Sequence, residues 1–335
     1  MSEYTMDYLD AMTRVGYTDK RKAWTWRQGK KNHFPGAVPD DEILALFAQA
    51  RGVEGPALTT LNGQPIVDAS RKAIITPDMP GGPVVQGYVG EYYPIHQFRE
   101  TLFDIMKPYT NCETGFSSAG LLKNGAVAWL QIEAPENREA AGLQYRAGLL
   151  GWTSLNGTMA TGFKGTGTFV VCDNTFAWAL AGGVDVKVRH TRHSLDKLKD
   201  SGEALAAINE LAENIGYAVQ AAADQKVTEA QFEAFLAALF PVPAEKNDKT
   251  GRGKTLALSK RSDVAELYTN DERAKPWAGT ALGVMQAINT YTNHKAAVRG
   301  VAHRAERVAE NQVTGKLSEL DRVAMQTLFK VLQPA

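Results

Sequence analysis

Apolar and polar residues alternate along much of the segment 53–191, and this alternation predicts a series of β-strands. Two Asn-Gly pairs, at 62–63 and 124–125, stand between apolar runs, which is the strongest short-range indication of a β-hairpin. Further strands are predicted at about 143–152, 157–163 and 167–172, with the glycine-rich stretch 162–167 as a hairpin turn. One helix interrupts the strands, because four apolar residues recur on a single helical face: Phe98, Leu102, Ile105 and Met106.

Helical periodicity dominates the rest of the chain. The acidic residues 40–42 begin a helix, and a long amphipathic helix is predicted from Leu195 to about residue 223. The next helix begins at Thr228, where Thr228 and Gln231 fit a capping box, and the prolines at 241 and 243 end it. Four more helices are predicted, near 256–270, 277–293, 296–312 and 315–332.

These elements predict an α+β fold, with a central antiparallel sheet, helices packed against it and a helical C-terminal part. Residues 1–36 lack regular periodicity, which predicts a basic and aromatic arm that packs only through its rings. Residues 37–225 are predicted to form the α+β core, which ends in the long helix. Residues 226–335 are predicted to form the helical region, with a polar, basic linker near 244–255.

Composition excludes several classes of protein. The chain has 335 residues, of which 44% are hydrophobic, and this is enough for a sizeable core. Lys+Arg and Asp+Glu number 37 each, so no global field attracts nucleic acid or a membrane surface. The two cysteines, Cys112 and Cys172, are too few for a disulfide framework or a four-cysteine zinc site. The chain shows neither a signal-peptide pattern nor a membrane-spanning run, so we expect a cytoplasmic protein without membrane contact.

Two segments combine positive charge with rings, and the first lies in the N-terminal arm. Lys and Arg neutralise phosphates while aromatic rings stack on unpaired bases, so this combination favours single-stranded nucleic acid. The alternative is that the tryptophans anchor the arm to the protein's own core. The candidate residues of the arm are Lys20, Arg21, Lys22, Trp24, Trp26, Arg27, Lys30 and Lys31.

The second basic segment follows the predicted strand that ends at Cys172. Its charge has the right sign to contact phosphate, although a solvated basic strip is the alternative. Its candidate residues are Lys187, Arg189, His190, Arg192 and His193. Tyr92, which lies in a tyrosine-rich stretch beside glycines, is a further candidate for stacking on a base, with rigid packing as the alternative.

The residues between Cys172 and Thr175 leave two other interpretations open. A Cys172 thiolate activated by His190 or His193 would be a nucleophile, whereas a cysteine at the end of an apolar strand is typical of buried packing. Asn174 fits the N-cap of a following helix, and the free N–H groups of that helix could bind a phosphate ligand.

We expect neither a metal nor another cofactor. His190 and His193 have only Asp185 as a third ligand at useful spacing, and the neighbouring cations would repel a metal ion. The stretch 250–255 is similar to a phosphate-binding loop, but Asp248 stands where that motif requires its first glycine. A flexible basic linker is the preferred interpretation of this stretch.

Three landmarks together resemble the phage/plasmid-like proteins, a large prokaryotic group catalogued as a domain of unknown function. The landmarks are 26–29, 87–95 and the strand 168–175 followed by 189–191. The chain departs from the family pattern at Arg27, which replaces the second residue of a Trp-His element, and at Gln97, which replaces an Asn. The resemblance implies a phage, prophage or plasmid setting near replication and recombination genes, and it implies no particular reaction.

The leading hypothesis is a phage- or plasmid-encoded protein of the bacterial host cytoplasm that binds or anneals single-stranded DNA. It would act in replication or recombination as a homo-oligomer, without catalysis, and its outline is similar to phage single-strand annealing proteins. The first alternative is an enzyme that uses Cys172 with His190 or His193, or a phosphate-ligand site. The second is a non-catalytic module whose C-terminal helices bind other proteins.

Overall fold

The computed structural model describes residues 12–18, 31–110, 114–134, 136–169, 185–191, 194, 208–244, 248, 250–296 and 316–333. Within these ranges two antiparallel sheets carry the strands, helices pack against them, and the C-terminal part is helical. The predicted α+β fold is confirmed.

The described strands form one large and one small sheet. In chain order they are β1 (Thr13–Val15), β2 (Val53–Leu61), β3 (Gln64–Thr76), β4 (Val84–Gly90), β5 (Gly115–Leu122), β6 (Val127–Glu133), β7 (Arg138–Ala140), β8 (Leu143–Ser154), β9 (Thr161–Phe169) and β10 (Asp185–Val188). The large sheet has seven strands in the order β1-β5-β6-β8-β9-β10, with β7 paired to β8, and the small sheet has the order β2-β3-β4.

The described helices lie between the sheets and in the C-terminal part. The α-helices are α1 (Asp40–Gln49), α2 (Asp104–Met106), α3 (Ile208–Asp224), α4 (Glu229–Leu239), α5 (Arg252–Asn270), α6 (Ala281–Thr290) and α7 (Lys316–Leu332). Two π-helices, Arg99–Phe103 and Tyr291–Lys295, precede α2 and follow α6 respectively. Short 3₁₀-helices cover Lys107–Tyr109 and Lys275–Trp277. No helix in the described ranges combines the length and the apolar character needed to cross a membrane.

Both predicted Asn-Gly hairpins are confirmed. Asn62 and Gly63 connect β2 to β3 with φ of 50° and 79°, and Asn124 and Gly125 lie between β5 and β6 with φ of 53° and 87°. Consecutive positive φ values are what a type I′ turn requires, and Asn and Gly adopt them at the least cost.

The predicted hairpin turn at 162–167 is wrong, because these residues lie inside the single long strand β9. A strand was predicted on either side of the glycines, but the glycines serve packing across the sheet. A Cβ at Gly162 would lie 2.3 Å from Cζ2 of Trp152, its partner on β8, so only glycine leaves room for that indole.

The expectation of an N-terminal arm held only by its rings also needs correction within its described residues. β1 joins the edge of the large sheet, with Thr13 opposite Gly120 on β5. The amide of Val15 donates to the carbonyl of Asn32, and the amide of Phe34 donates to the carbonyl of Val15. Three residues are too few to show a β period in the sequence, so this strand had no detectable signal.

The main core fills the space between one face of the large sheet, the small sheet, α1 and the helical segment 98–106. Its fully buried side chains include Ile43, Leu46, Ile74, Phe98, Leu102, Leu130 and Phe163. The predicted apolar face of the segment 98–106 is thus buried as expected for Phe98, Leu102 and Met106, although its first turn is a π-helix.

A second core joins the C-terminal helices to the end of β8. Tyr145 of β8 packs in the same cluster as Ile215 of α3, Phe235 of α4 and Leu328 of α7. The predicted capping box of α4 is confirmed, since the Thr228 hydroxyl accepts from the Gln231 amide and the Gln231 side chain accepts from the Thr228 amide. The predicted division of the chain into an arm, a core and a helical region remains a prediction.

Part of the predicted flexible linker is helical. α5 begins at Arg252, and the Asp248 carboxylate accepts hydrogen bonds from the amides of Gly253 and Lys254 at 3.0 and 2.7 Å. These bonds lower the pKa of Asp248. The negative charge that excluded a phosphate-binding loop therefore occupies the place at the helix N-terminus that an anion would take.

Candidate nucleic-acid interface

The structure joins the tyrosine-rich loop after β4 to the basic segment at the end of β10. The hydroxyl of Tyr93 makes a short hydrogen bond to Nδ1 of His190, 97 residues further along the chain. The two rings are stacked with centroids 5.3 Å apart. His190 also stacks on His96, with centroids 3.7 Å apart and 16° between the ring planes.

The hydroxyl groups around the two imidazoles fix the direction of every hydrogen bond. Ser194 donates to the carbonyl of Thr191 at 2.7 Å, so its oxygen must accept from His96 Nε2 at 2.6 Å. His96 Nδ1 therefore accepts, and its donor is the Thr161 hydroxyl at 2.6 Å.

The same reasoning extends to the second imidazole. Since the Thr161 proton points to His96, its oxygen accepts from Thr153 at 2.6 Å and from His190 Nε2 at 3.3 Å. His190 Nδ1 then accepts from Tyr93. One consistent pattern satisfies all of these groups with both imidazoles neutral.

Burial supports the neutral state of both rings. His96 is completely buried, and burial together with the neighbouring His190 lowers the pKa of His96 to about 3. Burial lowers the pKa of His190 to about 4. Burial also raises the pKa of Tyr93 above its usual value, so its hydroxyl keeps the proton that it donates.

Exposed side chains lie immediately beside this buried stack. Tyr92, the neighbour of Tyr93, is 82% exposed, and Arg189, the neighbour of His190, is exposed as well. Lys187 is exposed on β10, where it lies opposite Gly162 at the edge of the large sheet. Tyr92, Lys187 and Arg189 are exposed and lie within three residues of Tyr93 or His190 in the sequence, and they are together called the tyrosine–arginine surface below.

The predicted site residues are thus only partly accounted for. The structure brings the segments of Tyr92 and His190 together through the contact between Tyr93 and His190, and the half-buried ring of His190 belongs to the stack. Lys31 is exposed next to Asn32, whose side chain donates to Thr13. The other candidates lie outside the described residues: Lys20, Arg21, Lys22, Trp24, Trp26, Arg27, Lys30, Arg192 and His193, as do Cys172, Asp173 and Asn174.

Sequence reasoning missed the residues that hold this surface in place. His96, Thr161 and Ser194 are spread over almost a hundred residues, and no local pattern connects them. The charges and aromatic rings in the sequence did indicate both the tyrosine-rich stretch and the basic segment, but as two separate candidates. Thr161 is a polar residue at the first position of β9, and a polar residue at a strand boundary is a weak signal of such a role.

The geometry leaves little room for a metal at these histidines. All four ring nitrogens have hydroxyl partners, and the described part of the chain contains no group of three or more His, Cys, Asp or Glu placed to hold a metal ion. The arrangement instead makes a rigid, uncharged support beneath exposed groups.

Comparison with known families decides where the chain belongs. A family model described as "domain of unknown function (DUF932)" matches residues 85–313, which is more than half of the chain. The chain belongs to this family. The DUF932 match covers the tyrosine-rich loop, β10 and α3 to α6, and it begins after the Trp26 landmark. Comparisons with curated proteins and with solved structures gave no match.

Proposed function

We propose that this DUF932 protein is a phage- or plasmid-encoded protein that binds or anneals single-stranded DNA in replication or recombination. One observation carries the proposal. Tyr93 is in contact with His190, and the residue before each of them is exposed: Tyr92 supplies an aromatic ring and Arg189 a guanidinium.

This combination suits an unpaired strand better than a duplex. A guanidinium and an ammonium neutralise backbone phosphates, while a ring that projects into solvent stacks on a base that has no partner. A duplex hides its base faces, so Tyr92 would add nothing to duplex binding. Because the positive and negative charges of the whole chain balance, binding energy for DNA would come from local groups such as the tyrosine–arginine surface.

The buried stack adds preorganisation. Tyr93, His96 and His190 are fixed by hydrogen bonds and ring contacts, so the neighbouring Tyr92 and Arg189 start from a restricted backbone. Less conformational entropy is then lost when a strand binds.

Substitution of the exposed cations tests the proposal. We expect Lys187→Ala with Arg189→Ala to weaken binding of a fluorescent oligo-dT and to reduce the slope of log K against log salt by about 1.4. Tyr92→Ala should weaken single-strand binding by about 5- to 150-fold, which corresponds to the loss of one base stack of about 1–3 kcal/mol. Fluorescence anisotropy at several salt concentrations measures both effects.

The matched control removes two exposed lysines elsewhere, Lys226→Ala with Lys330→Ala, and should leave the slope unchanged. Glu91→Gln removes the exposed carboxylate beside Tyr92 and should strengthen binding. Failure of the wild-type protein to bind any oligonucleotide at low salt would end the proposal, and a preference for duplex would remove the role of Tyr92.

We also propose that the protein assembles with further copies of itself through the ribbon formed by β2 and β3. Large apolar side chains are exposed on this ribbon and on the adjacent strand: Val53, Leu58, Leu61, Ile66, Val67, Val85 and Tyr88. Leu58 lies opposite Val67, and the next pair, Thr59 and Ile66, faces the other way, so both faces carry apolar groups. No charged residue occurs from 55 to 67.

A ribbon of this kind favours contact with an identical surface. Exposed apolar patches mark interaction sites, and an uncharged patch meets its own copy without repulsion between like charges. We expect Leu61→Lys to lower the molar mass measured by size exclusion with light scattering. The control Leu256→Lys changes a similarly exposed leucine on α5 and should leave the mass unchanged. A wild-type protein that is monomeric at all concentrations would contradict this proposal.

A further inference from the structure

Helix α6 carries a polar stripe although it is buried on every side. All ten residues from Ala281 to Thr290 are buried, which is typical of a helix that is apolar all round. Polar side chains nevertheless recur at the spacing of one helical face: Gln286, Asn289, Thr290 and Asn293. Burial of such groups costs free energy unless each finds a partner.

Part of the stripe is satisfied by α7 and by the helix itself. The side-chain amide of Asn289 donates to Oδ2 of Asp321 at 3.0 Å. The side-chain amide of Asn293 donates to the carbonyl and to Oδ1 of Asn289 at 2.8 and 3.0 Å. Asp321 is 1% exposed, so α7 delivers a carboxylate into the interior directly against the stripe.

Three buried atoms around this contact have no hydrogen-bond partner. They are the terminal amide nitrogen of Gln286, Oγ1 of Thr290 and Oδ1 of Asp321. Each belongs to a residue that is at most 1% exposed. Gln286 and Thr290 share a helical face with Asn289, which binds Asp321, and buried polar atoms of native proteins are almost always paired, so these three atoms indicate a missing partner.

The backbone changes at the same place. α6 ends at Thr290 and continues as the π-helix Tyr291–Lys295. A π-helical turn widens the helix and alters its carbonyl ladder, and such turns occur frequently at functional sites.

Charge identifies the missing partner. A carboxylate that is ionised in the interior favours a positive partner, and Oδ1 of Asp321 has no hydrogen-bond partner. Burial raises the pKa of Asp321 to about 7, against the lowering effects of Asn289 and Lys164. Among the described residues, Lys164 is the charged group that lowers the pKa of Asp321.

We propose that a monovalent metal cation, Na⁺ or K⁺, binds between α6 and α7, with Asp321, Thr290 and Gln286 as ligands. Carboxylate, hydroxyl and amide oxygens are the ligands that hard cations prefer. The oxygen and nitrogen of a glutamine amide are assigned from hydrogen bonds, and rotation of the unpaired Gln286 amide presents its oxygen to the ion. A monovalent ion adds less positive charge beside Lys164 than a divalent ion would.

Such an ion would fasten the last helix to the centre of the helical core. It would pair the free oxygen of Asp321 while Asn289 continues to hold the other. This role is independent of DNA binding, since the site lies in the buried helical core and the tyrosine–arginine surface is exposed.

Thermal unfolding of the full chain at about pH 8 tests the proposal, because binding to the folded state alone raises the Tm with ligand concentration. We expect the Tm in NaCl or KCl to exceed that in N-methylglucamine chloride of equal ionic strength by a few degrees, with saturation. Asp321→Asn and Thr290→Val should each abolish the difference, and the exposed control Asp41→Asn should keep it.

Thr290→Val separates a ligand from a structural residue. If Thr290 only fills space, valine fits the same volume and the difference between salts persists, which would contradict the proposal. Line broadening of the ²³Na resonance by the wild-type protein, reversed by K⁺, gives a readout that needs no variant. Equal Tm values in all three chlorides, with no line broadening, would show that Asp321 simply carries a proton and would overturn the inference.

Discussion

Acidification from about pH 7 to about pH 4.5 is expected to lower the free energy of unfolding by on the order of 2 kcal/mol through His96, and by less through the half-buried His190. The pKa values of the two imidazoles are lowered to about 3 and about 4 by burial. An unfolded chain takes up a proton at each histidine near the usual pKa of about 6.5, while the folded chain does not. Between these values the unfolded state binds more protons, so stability is complete above about pH 6.5 and decreases as the pH falls.

The hydrogen-bond pattern gives the structural reason for this sign. Protonation of His96 Nδ1 would place a donor against the Thr161 proton, and protonation of His190 Nδ1 would do the same against Tyr93. It would also place a positive charge 3.7 Å from the neighbouring ring centroid. The stack therefore has to be neutral.

Urea denaturation at a series of pH values measures this effect. His96→Gln removes one titrating ring, so we expect its stability to change less between about pH 4.5 and about pH 7 than that of the wild type. Asp41→Asn, at an exposed carboxyl group, should preserve the wild-type profile. Assigned Cε1 resonances of His96 and His190 that titrate near pH 6.5 in the folded protein would contradict the neutral stack.

Local signals predicted much of the fold. The two Asn-Gly turns require positive φ values that few other residue pairs adopt, and the Thr228 capping box satisfies orphan amides within four residues. The sequence misled where a residue serves a distant partner. Gly162 was assigned to a turn because its local preference is a turn, yet the indole of Trp152 on the neighbouring strand decides its role.

The candidate site was predictable in composition but not in geometry. The tyrosine-rich stretch and the basic segment were both chosen for their charges and rings. Their contact through Tyr93 and His190 joins residues 97 apart in sequence, and no periodicity reports a contact of that range. The polar stripe of α6 was hidden for a different reason, because Gln286 and Asn289 in a helical pattern normally indicate a solvated face.

Gly120→Val is expected to destabilise the protein by about 3 kcal/mol, at the upper end of the usual cost of overpacking. Four residues form a row across the large sheet, because Gly120 lies opposite Trp129, Trp129 opposite Trp152 and Trp152 opposite Gly162. Each indole lies over the glycine beside it. A Cβ at Gly120 would lie 1.8 Å from Cη2 of Trp129, so the ring has to leave its position.

A matched control and a double-mutant cycle make the Gly120 prediction specific. Gly90→Val adds the same side chain to a strand glycine that has open space around its Cβ position, so its effect should be within about 0.5 kcal/mol of zero. Trp129→Leu removes the obstructing ring, and in its presence Gly120→Val should cost less by about 1–3 kcal/mol. Chemical denaturation of the four proteins of the cycle gives this coupling energy. Additive effects of the two substitutions would mean that the indole of Trp129 does not require a glycine at position 120, because a direct steric conflict makes the effect of each change depend on the other.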